Sequence, residues 1–170
     1  YKKHPYQWAT IGKDIKQIEE APLDEVKSFF YHHYSPNNAI LCVAGNVTFN
    51  EIMELAQKWF GDIPYREPKP RMYQQEDTQT EARFLELERK VPVNQLYIVF
   101  HMCHRLHDDY AATDLLSDVL SGGDSSRLYQ RLVKEKEIFT EVNAYITGSI
   151  EQGLFVFSGK PSVKYTLKEA

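Results

Sequence analysis

The stretch HMCHRLHDD, residues 101–109, gathers three histidines, one cysteine and two aspartates. Imidazole, thiolate and carboxylate are the protein ligands of zinc, and a site needs three or four of them converging at about 2.0–2.3 Å. The spacing works against convergence. His101, His104 and His107 stand three apart. On a strand, His101 and His104 point to opposite faces; on a helix the three drift round one broad face. The apolar pattern puts His101 at a strand end and the others in a loop leading to a helix. A loop can bring ligands together, so a small metal-binding protein built on His101, His104 and His107 is one reading, against an incidental loop. Asp108 or Asp109 is expected to cap the helix that follows. His32 and His33 form the other pair. Adjacent helical positions diverge by about 100°, so they do not share a metal; the expectation is His33 at the core edge and His32 exposed.

Other catalytic signatures are missing from the sequence. Neither H-E-x-x-H nor the reversed H-x-x-E-H occurs, and there is no G-x-S-x-G elbow. The phosphate loops G-x-x-x-x-G-K-[ST] and G-x-G-x-x-G are also absent. Gly122-Gly123 with Ser125-Ser126 has the chemistry to cradle an anion at a helix N-terminus. The same residues also make an ordinary corner between two helices. Carboxylates are plentiful, but no spacing marks two of them as an acid/base pair. Cys42 and Cys103 each lie in an apolar run and read as free, buried thiols, since cysteine is among the most buried residue types. Taken alone, the residues define no active site.

The elements that must position these groups follow from composition and periodicity. The 170 residues are 42% hydrophobic and 26% charged, an ordinary globular balance. A net charge of −4 with scattered Lys and Arg gives no basic patch for nucleic acid. No apolar run approaches the ~20 residues of a membrane span. The opening YKKHPYQWAT lacks the apolar core of a signal peptide. Leu23, Val26, Phe30 and His33 step at helical spacing from Pro22, and Pro36-Asn37-Asn38 stops the run. AILCVAG, residues 39–45, reads as a buried strand. Thr48 and Glu51 form a capping box for a helix carrying Ile52, Leu55, Ala56 and Trp59, closed by Gly61 and Pro64.

Residues 67–80, polar and proline-bearing, are the expected linker between residues 1–66 and 81–170. Beyond it RFLELERKV and NQLYIVFHM read as strands. A helix from Asp109 carries Ala112, Leu115, Leu116 and Val119 and ends at Gly122. Ser125 is expected to cap the next helix, which bears Leu128 and Leu132. TEVNAYITGS and GLFVFSGK read as a hairpin, and SVKYTLKEA as a helix just begun. Both ends look abrupt, so the chain is expected to be a piece of a longer one.

This order of elements, with the residues at its joints, resembles the pitrilysin/insulinase family of zinc metallopeptidases, to which mitochondrial processing peptidase belongs. Four stretches carry the resemblance: HPYQWATIGKDIKQI from His4, LDEVKSFFYHHYSPNNAILCVAGNV from Leu23, FNEIMELAQKWFGDIP from Phe49, and DDYAATDLLSDVLSGGDSSRLYQRLVKEKEI from Asp108. They span nearly the whole chain in family order.

The resemblance implies an α+β fold, an antiparallel or mixed sheet flanked by helices, present as parts of two similar halves. Residues 1–66 would be the C-terminal part of the metal-bearing type of half, and 81–170 the N-terminal part of the second, non-metal half. Zinc, held in the family by H-x-x-E-H and a distal Glu, would belong to the intact parent; no metal ligand and no catalytic residue carries over to this chain. The family places a substrate-engaging Arg and Tyr where this sequence has Val133 and Thr140. Gly122, Gly123, Ser125, Ser126 and Arg127 match its glycine-containing loop and carry over as substrate-contact candidates. The expected function is the non-catalytic portion of a zinc metalloendopeptidase that helps enclose and bind peptides. The expected partners are peptide and the remainder of the parent or a homologous subunit. The alternative is a catalytically inactive structural or partner subunit. The resemblance does not extend to the substrate or the compartment.

Overall fold

The structure, a computed structural model, describes residues 1–68, 70 and 72–170. The chain forms two units, Tyr1–Phe84 and Leu85–Ala170. Positions 69 and 71 of the expected linker 67–80 lie outside the described residues.

The first unit is helical. It holds a short α1 (Lys16–Glu19), α2 (Leu23–His33) and α3 (Phe49–Phe60). Asp24 and Glu25 in the first turn of α2 and His32 and His33 in its last complement the helix dipole. Pro36 then forbids continuation, because a proline disfavours α geometry in the residue before it. α3 begins on the expected capping box. The Thr48 hydroxyl accepts from Glu51 N–H at 3.4 Å, and the Glu51 carboxylate accepts from Thr48 N–H at 2.8 Å. Those Thr48 bonds hold the Glu51 carboxyl below its usual range.

Two polar clips tie distant parts of the unit together. Asn37 donates to the Arg66 carbonyl at 2.9 Å and accepts the Arg66 N–H at 3.2 Å. The Arg66 guanidinium then donates to the Tyr31 and Tyr34 carbonyls at the end of α2, lying 4.4 Å over the Tyr31 ring. Glu76 makes the second clip, accepting the N–H groups of Lys2, Lys3 and His4 at 2.7–3.1 Å. This nest of donors holds its carboxyl at about 2, with the Lys3 and His4 N–H bonds as the largest causes. Lys3 also pairs with Asp77.

Several expectations for this unit fail for one reason. Residues 39–45 join no strand ladder, and Cys42 is exposed rather than buried. His32 is half-buried, its Nδ1 2.7 Å from the Ser28 carbonyl, whereas His33 is exposed with its ring against Phe29. This reverses the expected pair. Neither α2 nor α3 buries a residue, and Trp59 is 69% exposed. Among the described residues no second layer covers the apolar stripes, so the stripe that defines a "core edge" has no core to face.

The second unit is a three-stranded antiparallel sheet of order β1-β3-β2, with β1 (Leu96–Met102), β2 (Phe139–Ile146) and β3 (Gly153–Pro161). The expected hairpin is β2–β3. The register sets Phe100 opposite Phe155, and Phe155 opposite Ile146; Ile98, Phe157 and Ala144 align in the next row. Met102, Ala144 and Phe155 form the core, with Tyr110, Leu120 and Leu128 packed against it. α4 (Tyr110–Ser121) lies on β2.

Residues 83–91 form no strand, contrary to the sequence expectation. Cys103 is half-buried, its sulfur 4.0 Å from the Thr113 hydroxyl; neither cysteine is in a disulfide. At the C-terminal stretch, Thr166 and Glu169 exchange backbone and side-chain hydrogen bonds, closing one capped turn where a helix start was expected.

Candidate functional site

The glycine loop is positioned by the end of α4 and the start of the next helical segment. Gly122 ends α4, its N–H bonded to the Asp118 carbonyl at 2.6 Å. Gly123 has φ +85, the left-handed region that a side chain disfavours, so glycine is required to turn the chain here. The turn closes when Ser126 N–H reaches the Gly123 carbonyl at 3.1 Å. Gln130 Nε2 locks it from below, donating to the Asp124 carbonyl at 2.5 Å.

The expected cap shifts by one residue. The Ser126 carbonyl, not a Ser125 side chain, accepts the first helical bond, from Gln130 N–H at 3.0 Å. After Arg127-Leu128 the helix widens into a π-helical segment, Tyr129–Glu135, with the Lys136 N–H reaching back five residues to Arg131. Glu137 leaves it with φ +52.

The five candidates therefore part into two sets. Gly122, Gly123, Ser125 and Arg127 are exposed on the loop. Ser126 turns inward and is buried, its hydroxyl without a hydrogen-bond partner among the described residues. Val133 is half-buried in the π segment. Thr140 is exposed and donates to the Lys160 carbonyl at 3.2 Å. Neither supplies a cation or a phenol. Around them Glu137 pairs with Lys164 at 2.7 Å and Glu141 with Lys160 at 2.5 Å; these bonds hold both carboxyls below their usual range.

Sequence reasoning passed over Ser121. Its hydroxyl donates to the Ala144 carbonyl at 2.8 Å and accepts the Ala144 N–H at 2.7 Å, fastening the loop's root to β2. The available signal was a hydroxyl immediately before Gly122, at a helix end facing a strand.

The histidine segment diverges. His101 and Met102 are neighbours in β1; Met102 points into the core, so His101 points to the other face. His104 and His107 lie beyond the strand in a turn, their rings 5.6 Å apart and perpendicular. His107 Nδ1 accepts the Asp109 N–H at 3.1 Å, and its nearest carboxylate oxygen, on Asp109, is 3.7 Å away. Asp109 occupies the cap position of α4, but its side chain makes no cap. Its carbonyl instead accepts both the Thr113 N–H and the Thr113 hydroxyl. Among the described residues no three His, Cys, Asp or Glu groups converge as a metal site. The donors present thus do not fit a zinc ion.

A three-stranded antiparallel sheet with α4 packed on β2 makes this unit an α+β module. The chain belongs to the Peptidase M16 inactive domain family, which matches residues 21–169.

Its relatives include the zinc protease PqqE of Helicobacter pylori, 30% identical over 169 residues, covering 96% of this chain and 38% of the relative. A zinc protease of Bacillus subtilis, YmxG, is 24% identical over 161 residues, covering 92% and 38%. Among solved structures, a protease from Helicobacter pylori superposes with a TM-score of 0.82 at 28% identity, covering 95% of this chain and 40% of the other. The peptidase M16 inactive domain from Pseudomonas fluorescens shares the fold, with a TM-score of 0.70, 24% identity and coverage of 95% and 39%. The chain thus spans about two-fifths of the length of these proteins, 38–40%. No helix among the described residues is long and apolar enough to cross a membrane.

Proposed function

We propose that this chain is the non-catalytic portion of a zinc metalloendopeptidase and that, in the parent, it helps enclose and bind peptide substrates. The match of residues 21–169 to the M16 inactive domain carries the reading. The zinc protease names of the relatives support it. Residues 1–66 would complete the metal-bearing type of half, 67–80 would link, and 81–170 would begin the second half. The uncovered stripes of α2 and α3 fit a unit whose sheet is supplied by other parts of the parent.

Zinc in the parent would polarise the scissile carbonyl and activate water. This chain's share is contact: the exposed Ser125 and Arg127 would meet the peptide, on a corner held rigid by Gly123 and Gln130.

The test uses the parent. Arg127→Ala should raise KM for peptide several-fold and leave kcat unchanged, the pattern of a group that binds ground and transition state alike. An unchanged KM would remove Arg127 from substrate contact. The isolated chain should hold no stoichiometric zinc and cleave no peptide; one tight zinc per chain with chelator-sensitive peptidase activity would overturn the proposal.

Val133 and Thr140 favour a second reading, a catalytically inactive structural or partner subunit. A parent with H-x-x-E-H that hydrolyses peptide without a partner would dismiss it.

A further inference from the structure

β1 lies at the edge of its sheet, and among the described residues only β3 pairs with it. Proteins blunt such edges with charge, proline, a bulge or a cover. LYIVFHM has no proline or lysine and runs in unbroken register with β3. On the face it shares with the core residue Phe155, Ile98 and Phe100 remain 50% and 57% exposed. Just upstream, Leu85–Arg89 joins no ladder, with Leu85 and Leu87 78% and 63% exposed. Leu85, Leu87 and Arg89 alternate with Glu86 and Glu88.

We infer that Leu85–Arg89 is a strap that docks antiparallel on the outer edge of β1, with Leu87 opposite Ile98 and Leu85 opposite Phe100. This register continues the apolar face and puts Glu86 and Glu88 on the other face, beside Val99 and Tyr97. A one-residue slip would turn both glutamates onto the apolar face, so the alternation specifies the pairing. Lys90–Gln95 becomes the connection, close to the usual hairpin lengths of about 2–5 residues. The strap is undocked in the structure. Docked, it closes an edge that would otherwise accept any extended chain by strand addition; its release opens that edge.

The test uses the full chain with Cys42→Ser and Cys103→Ala. Residues directly opposed across an antiparallel ladder have Cα atoms about 4.5–5.5 Å apart, within disulfide reach. Leu87→Cys with Ile98→Cys should oxidise to an intrachain disulfide about tenfold faster than Glu86→Cys with Ile98→Cys, whose side chains would face opposite sides. Leu87 packs in no core, so Leu87→Pro should fold, lose the strap and speed hydrogen exchange of the outward β1 amides. Equal oxidation rates for the two pairs, or β1 amides whose exchange ignores Leu87→Pro, overturns the proposal.

Discussion

Both units are made of similar material, amphipathic helices joined by apolar extended runs, yet they bury it differently. In Leu85–Ala170, β3 finds a neighbour on each side and α4 covers one face, so Phe155 falls to 7% exposure. In Tyr1–Phe84, AILCVAG finds no strand partner among the described residues, and α2 and α3 bury nothing. Hydrophobic sequence stabilises a fold only when a second layer removes it from water. The first unit is held instead by polar clips and caps; the second by a core.

The sharpest test of that contrast is truncation of a large side chain in each unit. Phe155→Ala should cost about 3–5 kcal/mol, as lost transfer energy plus a cavity. Trp59→Ala, at an exposed site, should stay within about 0.5 kcal/mol. Urea denaturation followed separately in each unit would read both; equal losses would break the comparison. Next in size is Ser121→Ala. It leaves the Ala144 N–H and carbonyl without their partly buried hydroxyl partner, for about 1–3 kcal/mol. The same denaturation should place that loss in the second unit alone.

Thr48→Ala should cost about 0.5–2 kcal/mol of α3 stability, seen as faster amide exchange in the first turn of α3 with the sheet unaffected. The smallest effect is the titration of Glu76. Its folded value is depressed from 4.5 to about 2, so its clip contributes fully above the unfolded value and is lost as pH falls through about 2. Exchange of the Lys2, Lys3 and His4 amides should therefore gain an acid-dependent component across that window, and Glu76→Gln should abolish its pH dependence. Glu76 remains partly open to solvent, so salt should weaken the effect.

The contrast also explains what was legible. The Thr48–Glu51 box and the Gly123 turn are decided within a few residues, so the sequence displays them. The β2–β3 hairpin is nearly as local. Residues 39–45 and 83–91 have the composition of strands, but a strand requires an edge to pair with, and local composition does not specify one. The burial of Cys42 and the order of His32 and His33 depend on that same covering layer. At the glycine loop the residues were legible and the orientation was not. Ser126 rather than Ser125 begins the helical segment, and Ser121 anchors the loop through a bond to Ala144, twenty-three residues away. The histidine segment misled because spacing counts donors, whereas a ligand set depends on direction.

The Asn37 clip has a consequence for chemical ageing. Its side chain meets the Arg66 backbone as both donor and acceptor, as a neighbouring peptide group would. Deamidation exchanges one NH2 for an oxygen. The donor to the Arg66 carbonyl is then gone, and a negative charge faces that carbonyl while the N–H bond survives. A covalent change of one functional group would thus unfasten half of the tether between the end of α2 and the chain beyond Pro64, making residue 37 a place where time in solution is written into the first unit before any peptide bond is cut.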